Sequence, residues 1–555
     1  MAPPESGSTI TVPQSRATVS VHLRIALTLA ACALAAWSIA STIVVFAIAF
    51  TKLPIYDAWD YWVPRVVALR AQRPFLWLVS QHSEHRVATS RVLYLIDHHA
   101  FSFRGEFLVI CSAFLFIAIA AFLIRYSRKI GVDDMPFYGA IVCSFFFSAQ
   151  QFVNYIWPAQ VCLPLVLFFA VTAILCSARV ESLRGVCGLW LLAILGSYSM
   201  AQGLFVWPVV ISVLLMRRLR KEAIATVIVG AITWVSYFLT YFQPPGGASV
   251  TAGLGHLPKV VLFFVAYLGS PLAEASGIGA QEMGQSGDYF RLAVCAVGGI
   301  MLLVATVWLV RHARTKWDYG AIGVICYTIL CAGGGGLGRS NLPIAAAVTD
   351  RYQTSVFIAW AALLALLLSR WNGLKMKLAT VVFTAIFVSS AQMSKISYAE
   401  NYRQVIESGE MSLINGVYRN DLADAVYHTP EVFPQVVPML RAQGLTVWAD
   451  YWTHWVGTPA SDHYIIGTPG YCRIESVTKD PFGWRSVGWC YDRRPMLVLV
   501  DDAGLVDGFA RSVISRPDLY KADFSTDPYC GWITYTRKKP VRFYQIEGVV
   551  IHPFQ

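Results

Sequence analysis

Two aspartates stand near the front of the chain, in IYDAWDYWVPRV (residues 55–66). Asp57 and Asp60 are three positions apart, so on a helical turn they share one face. They follow closely on a long apolar run, and Tyr56, Trp59, Tyr61 and Trp62 surround them. The aromatics read as a belt at a membrane–water interface. On that reading alone the acids would be merely solvated. Two carboxylates set against an apolar surface would instead have raised pKa values, and a carboxylate so placed can take a proton from a sugar hydroxyl.

The stretch QHSEHRVATSRVLYLIDHH (81–99) follows. Ser83 is expected to cap a helix beginning at Glu84, with Glu84, Val87, Arg91 and Tyr94 or Leu95 along one stripe. His82, Glu84 and His85 match no zinc spacing. One reading is a Glu–Arg or His–Glu network that serves structure. The other has Glu84, His85, Arg86 and Arg91 orienting a substrate beside Asp57. Polar groups also recur where apolar runs end: Asn154 and Gln160 in QFVNYIWPAQ, Gln202 in YSMAQGLFVW, and Arg339, Asp350 and Arg351 in GGGGLGRSNLPIAAAVTDR. The amides either bond between helices or line a cavity. The four glycines either end a helix as a nest of free N–H groups for an anion or let helices pack closely, with Asp350–Arg351 a local pair. Arginine suits a phosphate because its planar fork binds two oxygens at once.

These residues must be positioned by membrane helices. Of 555 residues, 56% are hydrophobic and 14% charged, against roughly 25% charged in a soluble domain. That excludes a disordered chain and an ordinary soluble enzyme. The net charge of +11 sits in short clusters between apolar runs, which is not the footprint of a nucleic-acid binder. Residues 1–22 read as a disordered cytoplasmic tail. Apolar runs at about 25–50, 107–124, 136–153, 159–177, 186–200, 203–216, 223–242, 291–310, 319–335, 353–369 and 378–393 read as eleven spans. Five basic clusters, around Arg125, Arg179, Arg217, Arg311 and Arg370, fall on one side, the cytoplasmic one. This holds only if 257–272 is re-entrant or interfacial. Its following loop, 273–290, carries Glu274, Glu282 and Asp288 without Lys or Arg.

The fold expected is thus a mostly α polytopic bundle over 23–393, including an outer loop 51–105, with a small, partly β-rich outer domain over 394–555. In that tail, 430–443 reads as an amphipathic helix stopped by Gly444, LTVWAD as a short strand, and YIIG, PMLVLVDD, WITYT and VRFYQIEGVVI as further strands. Nine of the 12 cysteines lie in apolar segments as small hydrophobes. Of Cys472, Cys490 and Cys530 in the tail, two can pair if it lies outside the cytoplasm.

A cytoplasmic N-terminus, an acidic outer loop straight after the first span, a many-span bundle with re-entrant pieces and an outer C-terminal domain resemble the C-type superfamily of integral-membrane glycosyltransferases. The segments SEHRVATSRVLYLID, NYIWPAQ and DRYQTS also look like those of uncharacterised bacterial members. The resemblance implies a multi-pass protein of the bacterial inner membrane with a periplasmic C-terminus. It implies a polyprenyl-phosphate-sugar donor and a glycan, lipid or protein acceptor. Such enzymes use an Asp or Glu of the first outer loop as base, which carries over to Asp57 first and Asp60 second. The adjacent Asp-Glu pair of many relatives is absent here. No ligand set demands a cofactor, although a divalent cation (Mg or Mn) would assist a leaving phosphate. Arg339 and Arg351 are the candidates to hold that phosphate. The rival reading is a transporter or lipid flippase. Nearly charge-free spans and polar motifs clustered on one side favour the enzyme. A third reading, a phosphoethanolamine-type transferase with a metal in the tail, meets only scattered histidines there.

Overall fold

The computed structural model describes residues 14–243, 250–273, 287–423, 426–491 and 495–554. Residues 14–22, expected to be disordered, already belong to the first helix; residues 1–13 and most of the loop 273–290 lie outside the described residues. In chain order come α1 (Gln14–Ala49), α2 (Pro64–Gln72), α3 (Pro74–Val79), the ribbon strands β1 (Gln81–His82) and β2 (His85–Arg86), α4 (Ala88–Phe101), α5 (Glu106–Ile130), α6 (Met135–Phe146), α7 (Phe152–Ile156), α8 (Cys162–Ser177), α9 (Leu183–Ser197), α10 (Val206–Met216), α11 (Arg220–Phe238), α12 (Val250–Gly255), α13 (Leu257–Leu268), α14 (Gly287–Arg311), α15 (Lys316–Gly338), α16 (Gln353–Arg370) and α17 (Leu374–Ile414).

Among the described residues, eight helices are long and apolar enough to cross a membrane: α1, α5, α8 with the turn before it, α11, α14, α15, α16 and α17. The sequence reading counts eleven. Its other three candidates form α6, α9 and α10, of 12, 15 and 11 residues. At 1.5 Å per residue even α9 covers only about 23 Å, short of the ~30 Å hydrocarbon core. Each apolar run breaks into a helix plus a short 3-10 turn, as where Ser148 caps Ala149–Gln151 after α6. The segment 257–272 forms α13, about 18 Å long, packed on α14 and α15.

α16 is the centre of the bundle, buried along nearly its whole length against α5, α6, α14 and α15. A helix apolar all round suits that place, and Ala359, Ala361, Ala362 and Ala365 let neighbours approach closely. α1 and α11, at the periphery, expose Leu, Ile and Val outward.

α17 packs on α1 and runs on without a break to Ile414, so the division at 393/394 falls inside one helix. Its 41 residues extend about 60 Å, twice the hydrocarbon thickness. The far half carries the tail. The tail adds α18 (Asn420–Ala423), α19 (Phe433–Gln443), β3 (Ile465–Ile466), β4 (Cys472–Asp480), β5 (Gly483–Cys490), β6 (Met496–Val500), β7 (Val506–Arg511), α20 (Pro517–Lys521), β8 (Gly531–Thr536), β9 (Arg542–Glu547) and β10 (Val550–Pro553). Gly444, at φ +60°, stops α19 as expected. LTVWAD is no strand: Thr446–Ala449 is a 3-10 turn with Trp448 fully buried.

Five strands order as β3-β10-β9-β6-β7 and three as β4-β5-β8. β7 and β8 pack on α17. There the buried Asn415 side chain bonds the backbone of Phe509 and Tyr535 and the Thr534 hydroxyl, tying helix to sheet. Cys472 and Cys490 form a disulfide between paired strands β4 and β5, and Cys530 is a buried thiol. The sequence reading missed β4, β5 and β7. Their Arg, Lys, Glu and Gly content hides the alternation that marks a strand.

Candidate active site

The chain leaves α1 at Ala49 and is caught at once. Thr51 Oγ1 donates to the buried Glu410 on α17 at 2.5 Å and accepts the Leu53 N–H at 3.0 Å. Residues Tyr56–Trp62 then form a 3-10 helix. Three residues per turn eclipse positions i and i+3, which puts Asp57 and Asp60 on one side. Trp59, Tyr61 and Trp62 are buried on the other. The helix starts at Tyr56 with φ +51°, and the Tyr56 N–H bonds the Val426 carbonyl at 2.7 Å. The tail therefore grips this turn directly. Tyr427 donates its hydroxyl to Asp60 Oδ1 at 2.5 Å, and Trp59 packs edge-on against Phe433 with centroids 4.7 Å apart.

Asp57 and Asp60 face a cavity of about 1490 Å³. Burial raises the Asp57 pKa, as does the Asp60 charge; His82, His428 and Arg351 offset part of it. His82 Nε2 lies 3.9 Å from Asp60 Oδ2.

The helix expected from Glu84 begins only at Ala88. Ser83 does not cap it: Ser83 (φ +46°) and Glu84 turn the β1–β2 ribbon, in which His82 pairs with His85. The ribbon carries His82, Glu84 and His85 onto the cavity wall. Burial lowers the His85 pKa to about 4, with Arg339, His82 and Arg351 adding to that and Glu84 opposing it. The imidazole is neutral at neutral pH, and its buried Nδ1 has no hydrogen-bond partner.

Arg86 is absent from the cavity wall. Its guanidinium bonds the carbonyls of Tyr237 and Val79 at 2.6 Å and the Thr240 hydroxyl at 2.9 Å, so it ties the ribbon to α11. Arg91 touches the cavity wall, but its donors go to the carbonyls of Trp77, Leu78 and Ser80 and to the Ser80 hydroxyl. It closes the end of α3. The stripe predicted for Glu84 and Arg91 does not form.

The glycine run is not a nest. Gly333–Gly336 lie inside α15, which continues to Gly338. A Cβ at Gly334 would stand 2.6 Å from the Phe205 ring and one at Gly336 3.1 Å from the Val260 carbonyl, so these glycines admit close helix packing. Arg339 follows as the helix ends. Asp350 does not pair with Arg351 either. It bonds Lys395 at 2.9 Å, away from the cavity. That leaves Arg351 free to face inward. Asn154 is buried and absent from the wall; it donates to Thr354 Oγ1 at 2.9 Å and to the Arg351 carbonyl at 3.4 Å, holding the turn that presents Arg351.

Arg339 and Arg351 flank one ring, Tyr352, with guanidinium carbons 5.6 and 5.2 Å from its centroid. Among the described residues neither side chain makes a hydrogen bond or ion pair, and Arg351 Nε is buried without a partner. The Tyr352 hydroxyl and Gln202 Oε1 are also unpartnered. Gln160 and Gln202 line the same space.

The cavity also has an apolar side. Trp234, Phe238 and Phe242, at the end of α11, line it together with Leu330 and Leu337 of α15. Trp234, Phe238, Phe242 and Leu330 are exposed on the surface that would meet lipid. A large amphiphile can enter from the membrane on that side and place a polar head among the carboxylates and arginines.

The sequence-derived residues Asp57, Asp60, Glu84, His85, Gln160, Gln202, Arg339 and Arg351 meet around one cavity; Arg86, Asn154 and Asp350 brace it from behind. Sequence reasoning missed Tyr427 and His428, because contact across some 370 positions leaves no local signal. Trp448 is core, Trp452 packs on Phe509, and Trp455 stacks on His463 at 4.4 Å. Among the described residues no group of three or more His, Cys, Asp or Glu is arranged to hold a metal ion. Comparison with known proteins gives no match: no family model fits the chain, and no curated protein sequence is similar to it.

Proposed function

We propose that the protein is a membrane glycosyltransferase of the C type, moving a sugar from a polyprenyl-phosphate donor to a hydroxyl-bearing acceptor, a glycan, lipid or protein. The observation that carries this reading is one cavity holding a desolvated carboxylate, two unpaired guanidinium groups and an apolar wall exposed between spans. Each part matches one part of such a donor. The prenyl chain lies along α11 and α15. The phosphate sits beside Arg339 and Arg351. The sugar reaches Asp57.

In the transfer, Asp57 accepts the proton of the acceptor hydroxyl while that oxygen bonds to the anomeric carbon. The bond from that carbon to the phosphate oxygen breaks, and its electron pair leaves with the lipid phosphate. The arginines stabilise the charge that develops there. Burial of Asp57 supports its role, since a base works best with its pKa near the working pH. Asp60, held by Tyr427, keeps the turn in place. A divalent cation would assist the departing phosphate; Asp57, Asp60 and Glu84 are the carboxylates on the cavity wall.

On this reading loop 51–105 and the tail share the non-cytoplasmic side of a bacterial inner membrane, with the N-terminus inside. Single-cysteine labelling in each segment tests the sidedness, and labelling from opposite sides ends the proposal. The activity is tested with the protein in nanodiscs and a panel of radiolabelled polyprenyl-phosphate sugars. Transfer, or slow hydrolysis of one donor, is expected. Donor binding with movement across the bilayer and no bond cleavage would point to a flippase instead.

A further inference from the structure

A second cavity, of about 490 Å³, lies between α2, α3 and α4. Tyr61 and Trp77 stand in the wall of both cavities, but the second has polar groups of its own. Arg70 reaches into it with its guanidinium carbon 4.1 Å from the Tyr61 ring centroid and 5.2 Å from that of Trp62. Among the described residues no carboxylate pairs with Arg70, and its Nη1 is buried without a hydrogen-bond partner. His98 stacks on Trp62 at 5.2 Å, and its Nδ1 is also buried and unpartnered, as is the Trp62 indole N–H. Burial and the nearby Arg70 lower His98 to about 4, so its ring is neutral and carries one N–H.

On this cavity wall Arg70 Nη1 and His98 Nδ1 are both buried without partners, which needs an explanation. Each is costly if nothing meets it. Arg70 is a donor only, and neutral His98 supplies one N–H. A ligand that satisfies them is rich in acceptor oxygens and carries negative charge.

The rim says where it comes from. Phe75 is 72% exposed and Leu76 48% exposed beside the mouth. Val92, Ile96 and Phe101 expose their side chains along α4. Phe101 stacks on Phe107 of α5 with centroids 4.9 Å apart, and α5 is one of the helices able to cross the membrane. An apolar surface thus runs from a span to the rim of the cavity, which sets the mouth at headgroup depth. Exposed Arg73 stands beside it.

We propose that this cavity binds the phosphate of an anionic phospholipid, from the leaflet that meets loop 51–105, with the acyl chains lying over Phe75 and α4. The site is separate from the donor cavity, and the inference stands whether or not the protein transfers sugar. Because Tyr61 belongs to the same 3-10 turn as Asp57, a lipid bound here also buttresses that turn from behind.

The test is native mass spectrometry of the delipidated full chain in neutral detergent, titrated with phosphatidylglycerol, phosphatidylcholine or inorganic phosphate. Phosphatidylglycerol is expected to bind in preference to phosphatidylcholine. Arg70→Gln should weaken that binding by roughly tenfold or more, the effect of losing charge-assisted hydrogen bonds. Phe75→Gln, on the exposed rim where folding is not at stake, should weaken it several-fold. Arg73→Gln, outside the cavity, should change little. Retention of phosphatidylglycerol by both Arg70→Gln and Phe75→Gln at the parent's affinity would overturn the proposal. So would inorganic phosphate displacing the lipid at equal concentration, since the site would then read a free anion rather than a lipid.

Discussion

The two pairs of arginines around the main cavity are opposites. Arg86 and Arg91, where the ribbon meets α4, spend their donors on carbonyls and hydroxyls of Val79, Tyr237, Thr240, Trp77, Leu78 and Ser80. Arg339 and Arg351, also at this cavity, have no hydrogen bond or ion pair among the described residues, and both stand over the Tyr352 ring. The first pair closes local backbone that secondary structure leaves open. The second keeps its charge and donors for something not made of protein. An arginine near a candidate base is informative only once its donors are counted.

Removing the bracing pair should do the most to stability. Arg91→Met takes the side-chain donor from the carbonyls of Leu78 and Ser80, at about 1–3 kcal/mol each, while the Trp77 carbonyl keeps the Ser80 N–H and hydroxyl. Thermal unfolding in detergent should show a fall in Tm of many degrees, or no folded protein at all. An Arg91→Met variant as stable as the parent would erase the contrast between the pairs.

The tail offers the next largest effect. The Cys472–Cys490 bridge closes a loop with a sequence separation of 18. Cys472→Ser should cost the tail about 3 kcal/mol, read by urea unfolding with and without reductant. Reductant should move the parent toward the variant and leave the variant unchanged.

Asp97 should add a smaller, pH-dependent effect. Its carboxyl is buried, and Oδ2 accepts the Gly105 N–H at 3.2 Å, closing the loop after α4 in which Ser102, Phe103 and Gly105 all have positive φ. Burial raises its pKa from 3.8 to about 7, so the folded chain holds the proton more tightly than the unfolded one. That stabilisation is full below about pH 4 and is lost as pH rises to about 7. Asp97→Asn keeps the acceptor and removes the titration. Its Tm relative to the parent should therefore rise across that interval, and a difference constant with pH would show that Asp97 does not titrate there.

The smallest stability effect belongs to the cavity arginines. Arg339→Lys and Arg351→Lys should change stability little, within about 0.5 kcal/mol, since neither breaks an internal hydrogen bond or ion pair. Binding of a polyprenyl-phosphate donor should nevertheless weaken, because lysine keeps the charge and loses the planar fork. Two variants that bind donor like the parent would place these arginines with Arg86 and Arg91.

Much of this site was legible in the sequence, in a particular way. The i, i+3 spacing of Asp57 and Asp60 beside aromatics foretold a turn with acids on one face, and a 3-10 turn satisfies it as well as an α-helix. Gln160, Gln202, Arg339 and Arg351, at the ends of apolar runs, line one cavity, because helix ends gather at one level of a bundle. Partner choice was not legible. Asp350 takes Lys395 rather than its neighbour Arg351, and Asp60 takes Tyr427 from the far end of the chain. Nor was the fate of the glycine run, which an α-helix absorbs because Phe205, Val260 and Phe263 pack against it. Eight of the eleven apolar runs give helices long enough to span; α6, α9 and α10 are mostly apolar and end sooner, at turns.

The central claim is that Asp57 is the base in a cavity that holds a lipid-phosphate sugar. It is tested most directly by Asp57→Asn, which keeps shape and removes the proton acceptor. Transfer from the donor that the parent uses should fall by roughly 10²–10⁴-fold, donor binding should be largely kept, and Asp60→Asn should do less. A monodisperse Asp57→Asn protein with normal transfer would contradict the claim, and an inactive Asp60→Asn protein beside it would move the role to Asp60.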